Sequence, residues 1–114
     1  MNMQKTMTFQ GVSGTGYDFV EKPVDSNWVY KAGVAVFAAR DTYGWRVIKV
    51  VELSGRDHDV RPIWAFHDAQ RFGADTVFVC EEDVSAVRRG AIDDMVAGLN
   101  PAASVEMPSL AIAA

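Results

Sequence analysis

Few side chains in this sequence could bind a metal ion, and the best candidates are adjacent. Asp57, His58 and Asp59 are consecutive, and carboxylate oxygen and imidazole nitrogen are common metal ligands. Consecutive residues seldom converge on one ion, and no Cys-x-x-Cys or His-x-x-x-His spacing supplies partners elsewhere. We therefore expect a polar loop that caps the following helix, and no metal site.

Candidates for acid–base or nucleophilic chemistry are equally sparse. His67 is the candidate general base, because histidine is the residue type suited to proton transfer at physiological pH. No serine or second histidine can be assigned to it, so it is expected to be a half-buried structural residue. Cys80 lies in the apolar run DTVFVC and is expected to be a small buried hydrophobe. Asp93 and Asp94 are assigned to a solvated helix face, where Asp93 follows Arg89 at the spacing of an ion pair.

The elements that would position these side chains begin with strands. Residues 6–20 alternate in hydrophobicity around GVSGTG, which predicts a β-hairpin; a phosphate-binding loop is disfavoured because a strand, not a helix, follows. Residues 33–39 and 45–53 predict antiparallel neighbouring strands joined by a short polar turn that contains Gly44. Residues 75–80 form a nearly continuous apolar run, as in a strand covered on both faces.

A first helix is predicted between the second strand pair and the last strand. It should begin near Asp59 or Val60, with Pro62 tolerated in its first turn, and stop before Gly73. The residues of its predicted buried stripe are Ile63, Phe66 and Ala69.

A second helix is predicted after the last strand, and it completes the fold. Asp83 is the expected N-cap and Asn100-Pro101 the expected stop. The stripe, which should bury Ile92, comprises Val84, Val87, Ala91, Ile92, Met95 and Leu99. The order of elements predicts an α+β fold, a small and mainly antiparallel sheet with two main helices, preceded by an N-terminal β-hairpin.

Length and composition indicate one domain. At 114 residues the chain can build a single modest core, and we expect a domain over 1–101, with 1–28 as its hairpin extension, and a flexible tail over 102–114. The net charge of −4 and the pI of about 5.0 disfavour a general nucleic-acid binder, which is more often basic.

The cellular location is expected to be the cytoplasm, without membrane contact. One cysteine cannot form an internal disulfide, the start MNMQKTMTFQ lacks the apolar run of a signal peptide, and no stretch approaches the roughly 20 apolar residues of a spanning helix. The final Ala-Ala is similar to termini that bacterial energy-dependent proteases recognise. The alternatives are an end without function, or an end that docks Leu110 and Ile112 on its own domain or on a second copy of the chain.

Five stretches resemble the GIY-YIG family, in particular small bacterial GIY-YIG-like proteins with an extra N-terminal segment. They are TFQGVSGTGYDF, AGVAVFAAR, RVIKVVEL, FGADTVFV and AIDDMVAGLNP, which lie between Thr8 and Pro101. The resemblance implies a nuclease fold in which two tyrosines, in GIY and YIG, and an arginine that begins the next helix handle water and phosphate. In that family a glutamate on a later helix binds a divalent metal.

When the catalytic positions of the GIY-YIG family are matched to this sequence, most of them fall on residues that differ from the family's catalytic residues. The tyrosines fall on Ala35 and Lys49 and the glutamate on Ile92, whereas Arg61 is the candidate remnant of the arginine. Alanine has no hydroxyl, lysine has no phenol and isoleucine offers no oxygen to a hard cation. The resemblance therefore implies a domain without catalytic residues, metal or cofactor.

A cation-bearing aromatic surface is the remaining candidate site. Tyr43 and Trp45 flank a turn, where full burial is difficult, and Arg46 and Lys49 follow on the same strand. Such surfaces bind proteins or stack on single-stranded nucleic acid. The predicted binding residues are Tyr43, Trp45, Arg46, Lys49, Arg56 and Arg61. Most of the other large aromatic residues, which are Trp28, Tyr30 and Trp64, are expected to pack in the core.

These observations predict a binding or regulatory module with a protein partner rather than an enzyme. The alternatives are a DNA- or RNA-binding remnant of a nuclease, or a weak divergent nuclease. The electrostatic potential around Lys49, Arg56 and Arg61 distinguishes a protein partner from a nucleic-acid partner. A basic groove there favours nucleic acid, whereas a mixed, apolar-centred patch favours protein.

Overall fold

A computed structural model describes residues 5–42 and 44–101. It confirms the α+β fold with an N-terminal hairpin, two helices and an antiparallel sheet of strand order β1-β2-β5-β3-β4. The elements are β1 (Thr6–Gln10), β2 (Gly16–Lys22), β3 (Gly33–Asp41), β4 (Gly44–Leu53), α1 (Arg61–Gln70), β5 (Thr76–Glu81) and α2 (Ser85–Leu99). Tyr43 and the predicted tail over 102–114 lie outside the described residues.

The predicted pairing of β3 with β4 is confirmed. The two strands run antiparallel from Gly33 opposite Leu53 to Asp41 opposite Gly44. Phe37 lies opposite Lys49, whereas the next residue along β3 lies opposite Val47. This β-bulge leaves one extra residue in β4 and changes which face its side chains point to.

Each face of the sheet carries a separate core because strand side chains alternate between faces. The α1-side core comprises Trp28, Ala35, Phe37, Ala39, Ile48, Leu53, Phe66, Ala69, Ala74, Val77 and Val79. The α2-side core comprises Phe9, Phe19, Val34, Val36, Ala38, Val50, Phe78 and Met95. β3 and β5 contribute to both cores, which explains their nearly continuous apolar sequences.

Helix α1 begins at Arg61, just after the predicted start near Asp59 or Val60, and Pro62 lies in its first turn as predicted. Its buried residues are Pro62, Phe66 and Ala69, so the predicted burial of Ile63 is wrong; this side chain is 38% exposed. Pro62, Phe66 and Ala69 already form a stripe at helical spacing, and Ile63 lies about 100° around the helix from Pro62. Gly73, with φ +100°, ends the segment in a left-handed conformation that favours glycine.

Helix α2 differs from the prediction at its start. Its N-cap is Val84, not Asp83, because the carboxylate of Glu82 accepts the Val84 amide at 3.0 Å. Val84 and Val87 are exposed, and the buried positions of the helix are Arg88 and Met95. The prediction that the two valines are buried is wrong because hydrophobic periodicity does not predict that an arginine points into the core.

The remainder of α2 follows the predicted stripe more closely. Ile92 is only half-buried rather than buried, although it packs against the α2-side core. The helix ends at Asn100, which adopts a left-handed conformation with φ 51°. The predicted stop is thereby confirmed.

Asp94 is not the freely solvated carboxylate that the sequence suggested. It accepts hydrogen bonds from the Ser13 amide, the Ser13 hydroxyl and the Tyr17 hydroxyl, at 2.9, 2.7 and 2.7 Å. Asp93, by contrast, is exposed, and the predicted ion pair with Arg89 is not among those of the described residues. The last helix is therefore joined to the first hairpin through one side chain.

None of the helices within 5–42 and 44–101 is long and apolar enough to cross a membrane.

Candidate binding surfaces

The predicted aromatic surface around β4 is divided between the two faces of the sheet. Trp45 lies on the α2 side, where its ring meets Phe78 edge-on at 5.1 Å and the Arg40 guanidinium lies 5.0 Å from it. Arg46 points to the other face, where its Nη2 donates to the Phe72 carbonyl at 3.1 Å. The structure thus separates these side chains, and Tyr43 lies outside the described residues.

The positions carried over from the GIY-YIG resemblance are divided in the same way. Ala35 is fully buried in the α1-side core, and Lys49, opposite Phe37, shares that face of the sheet. Ile92 packs against the α2-side core. The sheet therefore lies between Ala35 and Ile92, and these positions do not converge on one site.

Arg56 and Arg61, in contrast, do come together, in a cleft that also holds two arginines of α2. The cleft has a volume of about 360 Å³ and lies between the ends of β4, α1 and α2. Four of the seven arginines in the chain line it. Its lining residues, which define the arginine cleft, are Ala32, Glu52, Ser54, Arg56, Arg61, Asp83, Ser85, Arg88 and Arg89.

Arg61 is held on one wall of the cleft by a bidentate ion pair. Its Nε and Nη2 donate to the two carboxylate oxygens of Asp59 at 2.8 and 2.9 Å, and the Ser54 hydroxyl donates to the same carboxylate at 2.6 Å. The hydrogen bonds from Arg61, which have the largest effect, and the one from Ser54 hold the pKa of Asp59 well below its ordinary range. The polar loop predicted over 57–59 therefore positions Arg61 through Asp59.

Arg88 forms the opposite wall. It is the one buried charged side chain in the described part of the chain, 7% exposed. Its Nε donates to Glu52 at 2.8 Å, and its Nη1 donates to the carbonyls of Glu82 and Asp83 at 3.1 and 2.9 Å. These bonds tie α2 to β4 and to the segment that precedes the helix.

A second surface lies on the outer side of α1 and is apolar. The large apolar side chains exposed there are Val60, Ile63 and Trp64, and the β2–β3 connector adds Val24 and Tyr30. Tyr30 and Trp64 are each 67% exposed. We call these five residues, Val24, Tyr30, Val60, Ile63 and Trp64, the α1 apolar face.

A depression of about 320 Å³ opens between α1 and the connector. Val24, Tyr30, Ile63, Phe66 and His67 are among its lining residues. His67 is exposed there rather than half-buried as predicted. The depression thus has apolar side chains from both α1 and the connector, and polar side chains of the same two segments, the solvent-accessible imidazole among them, complete its lining.

Trp28 gives this depression a fixed floor. Its ring packs edge-on against Phe37 and Phe66 at 5.5 and 6.1 Å, and its indole N–H donates to the Val24 carbonyl at 3.1 Å. Of the aromatic residues expected in the core, Trp28 is buried, whereas Tyr30 and Trp64 are not. A second apolar spacing on α1, Val60 followed at three and four residues by Ile63 and Trp64, was the sequence signal for this face.

Cys80 is half-buried rather than buried. Burial, with the nearby carboxylate of Glu82, raises the pKa of its thiol. A raised pKa keeps the thiol protonated near neutral pH, which is unfavourable for a nucleophile.

Within 5–42 and 44–101, no three His, Cys, Asp or Glu side chains are grouped so that they could hold a metal ion. Comparison of the chain with protein-family models, with curated proteins and with solved structures found no match. The candidate binding surfaces are therefore the arginine cleft and the α1 apolar face.

Proposed function

We propose that this chain is a non-catalytic, GIY-YIG-like binding module of the cytoplasm that takes a protein partner through the α1 apolar face. The observation that carries the proposal is the clustering on α1 and one connector of five of the eight exposed large hydrophobic residues in the described part. Exposed apolar patches of this kind mark interaction sites.

The two aromatic residues supply most of the expected binding energy. Tryptophan and tyrosine are the residue types most often found at energetic hot spots. Burying the exposed part of Trp64, roughly 150 Å², contributes about 3–4 kcal/mol before the entropy cost of association is subtracted. Tyr30, equally exposed, adds a contribution of similar size.

The shape and charge of the face favour a partner that presents a bulky apolar side chain. The depression of about 320 Å³ accommodates one aromatic or branched aliphatic side chain with room for its backbone. Its lining includes one carboxylate, that of Asp25, and no lysine or arginine. Recognition therefore depends on apolar contact more than on charge.

The absence of catalysis is part of the proposal and has separate support. Ala35 and Ile92 lie on opposite faces of the sheet. A site assembled from these positions would lack both the side chains and the convergence that phosphodiester cleavage needs. A weak divergent nuclease would have to use other residues.

Nucleic acid is the second candidate partner, because four arginines line one cleft. Base stacking would require open aromatic rings beside those cations, but Trp45 is packed on Phe78 on the α2 side. The residues lining the arginine cleft include no aromatic side chain. The geometry thus gives better support to a protein partner at the α1 apolar face.

Photo-crosslinking in the native cell tests the proposal. A photoreactive amino acid is placed at position 64 of one variant and at position 87 of a control variant, since Trp64 and Val87 are both exposed apolar helix residues on different helices. We expect a discrete protein adduct from position 64, absent when Ile63→Asp is added, and none from position 87. Equal adducts from both positions, or none from position 64, would refute the proposal.

A further inference from the structure

The arginine cleft carries positive charge that the described part of the protein does not neutralise. Arg61 is paired with Asp59 and Arg88 with Glu52. The side chains of Arg56 and Arg89 have no hydrogen bond or ion pair among the described residues. Of the two carboxylates that line the cleft, Glu52 is paired with Arg88, and Asp83 has no arginine partner among the described residues. We infer that the cleft binds the dianion of a small phosphate monoester between Arg56 and Arg89.

The groups around these two arginines suit a phosphate. Ser85 contributes a hydroxyl to the lining, and a hydroxyl can donate to a phosphate oxygen. Ser85 is also the first residue of α2, whose first turn contains no acidic residue, although the Glu82 carboxylate accepts the amide of the N-cap Val84. Guanidinium groups bind phosphate through paired N–H donors.

The α2 wall of the cleft, which carries Arg89, is held in a defined position. Arg88 is buried and makes three hydrogen bonds, to Glu52 and to the carbonyls of Glu82 and Asp83. It precedes Arg89 directly on α2, so the backbone at Arg89 is fixed by its neighbour. A site whose supporting groups are already hydrogen-bonded loses less entropy when an anion binds.

Size and charge favour a small anion over a nucleic-acid strand. The cleft, of about 360 Å³, is near the lower end of ligand pockets. Two carboxylates, those of Glu52 and Asp83, are part of its lining. A strand with many phosphates would be repelled by these carboxylates and by the net charge of −4, whereas a single dianion can lie between the two arginines.

Titration of the full chain, followed by calorimetry and by amide and arginine side-chain NMR signals, tests the inference. The probes are inorganic phosphate, glycerol phosphate, uncharged glycerol and a short single-stranded oligothymidylate. The variants are Arg56→Gln and Arg89→Gln, with Arg71→Gln as the control that removes the same charge from an arginine paired elsewhere, with Asp68.

We expect saturable binding of glycerol phosphate with a Kd of about 1 mM or tighter, weakened about tenfold by either cleft substitution and unchanged by Arg71→Gln. Signal shifts should be confined to residues of the arginine cleft, and glycerol should not bind. The inference would be overturned if inorganic phosphate or glycerol phosphate failed to reach saturation. It would also be overturned if Arg71→Gln weakened binding as much as the cleft substitutions do. Tighter binding of the oligothymidylate would overturn it in favour of nucleic acid. The protein-binding proposal is independent of these outcomes, because it concerns a different surface.

Discussion

Ser13 and Asp94 join the first hairpin to the last helix: the carboxylate of Asp94 accepts the Ser13 amide at 2.9 Å and the Ser13 hydroxyl at 2.7 Å. The backbone follows the same connection, since the Val12 amide donates to the Asp94 carbonyl at 3.0 Å. These hydrogen bonds from Ser13, followed by the one from Tyr17, hold the pKa of Asp94 below its ordinary range. The N-terminal hairpin is therefore an integrated part of the fold.

Replacing Asp94 should destabilise the protein much more than replacing its neighbour. Asp94→Ala removes the acceptor of three hydrogen bonds, and we expect the Tm to fall by roughly 5–10 °C. Asp93→Ala is the matched control, because Asp93 is exposed on the same helix, and it should shift the Tm little. Equal Tm values for the two variants, measured by calorimetry, would show that the hairpin contact contributes nothing.

The same substitution at two glycines of α2 should have opposite effects. Nothing lies within 4 Å of a Cβ added at Gly90, whereas one at Gly98 would lie 2.5 Å from the Val12 backbone nitrogen. Gly90→Ala should therefore stabilise by about 0.5–1 kcal/mol through helix propensity. Gly98→Ala should destabilise by about 1–3 kcal/mol because α2 and the hairpin loop must separate.

Urea unfolding measures both glycine variants under the same conditions. A stabilising Gly98→Ala would mean that α2 does not approach the hairpin loop as closely as described. A destabilising Gly90→Ala would mean that this position is not open.

Arg88 should be required for the fold and Arg89 should not. Arg88→Ala leaves the half-buried carboxylate of Glu52 and two carbonyls without their donor, which should cost about 2–4 kcal/mol of unfolding free energy. Arg88→Lys should recover only part of this, since an ammonium lacks the planar fork of donors. Arg89→Ala, the adjacent exposed control, should unfold like the native chain; a loss as large as that of Arg88→Ala would contradict the assignment.

The ion pair of Asp59 with Arg61 predicts a specific dependence of stability on pH. Because the folded-state pKa of Asp59 is depressed from its ordinary value of 3.8, its contribution is fully present above that value and is lost as the pH falls towards the folded-state pKa. The Tm difference between the native chain and Asp59→Asn should therefore be constant above about pH 5 and shrink below about pH 4. Asp57→Asn is the control, since Asp57 is exposed. A difference that stays constant down to the acid limit of folding would refute the account.

The sequence predicts the local elements well because each has a local cause. The β3–β4 pair follows from two strand-length runs and a short turn, and Pro62 and Gly73 delimit α1. The position of β5 between β2 and β3 has no such local cause. It depends on pairing between segments far apart in the chain, which hydrophobic periodicity does not encode.

The candidate surfaces are harder to predict because they depend on which residues the core leaves out. The stripe on α2 included Val87, but Arg88 occupies the inward position and Val87 is exposed. On α1, Pro62 takes the buried position that was assigned to Ile63, which leaves Ile63 beside Trp64 on the surface. Arg56 and Arg61 could be named from the sequence, whereas their meeting with Arg89 requires the tertiary fold.

The most direct test of the proposed function is the affinity of the partner crosslinked at position 64 for single-site variants of this chain, measured by calorimetry with purified proteins. Trp64→Ala and Tyr30→Ala change exposed side chains of the α1 apolar face, and Val87→Ala is the exposed apolar control on α2. If the account is correct, each face variant weakens binding by about tenfold or more, and Val87→Ala leaves the Kd unchanged. If all three variants bind the partner as the native chain does, the α1 apolar face is not the binding surface and the account is contradicted.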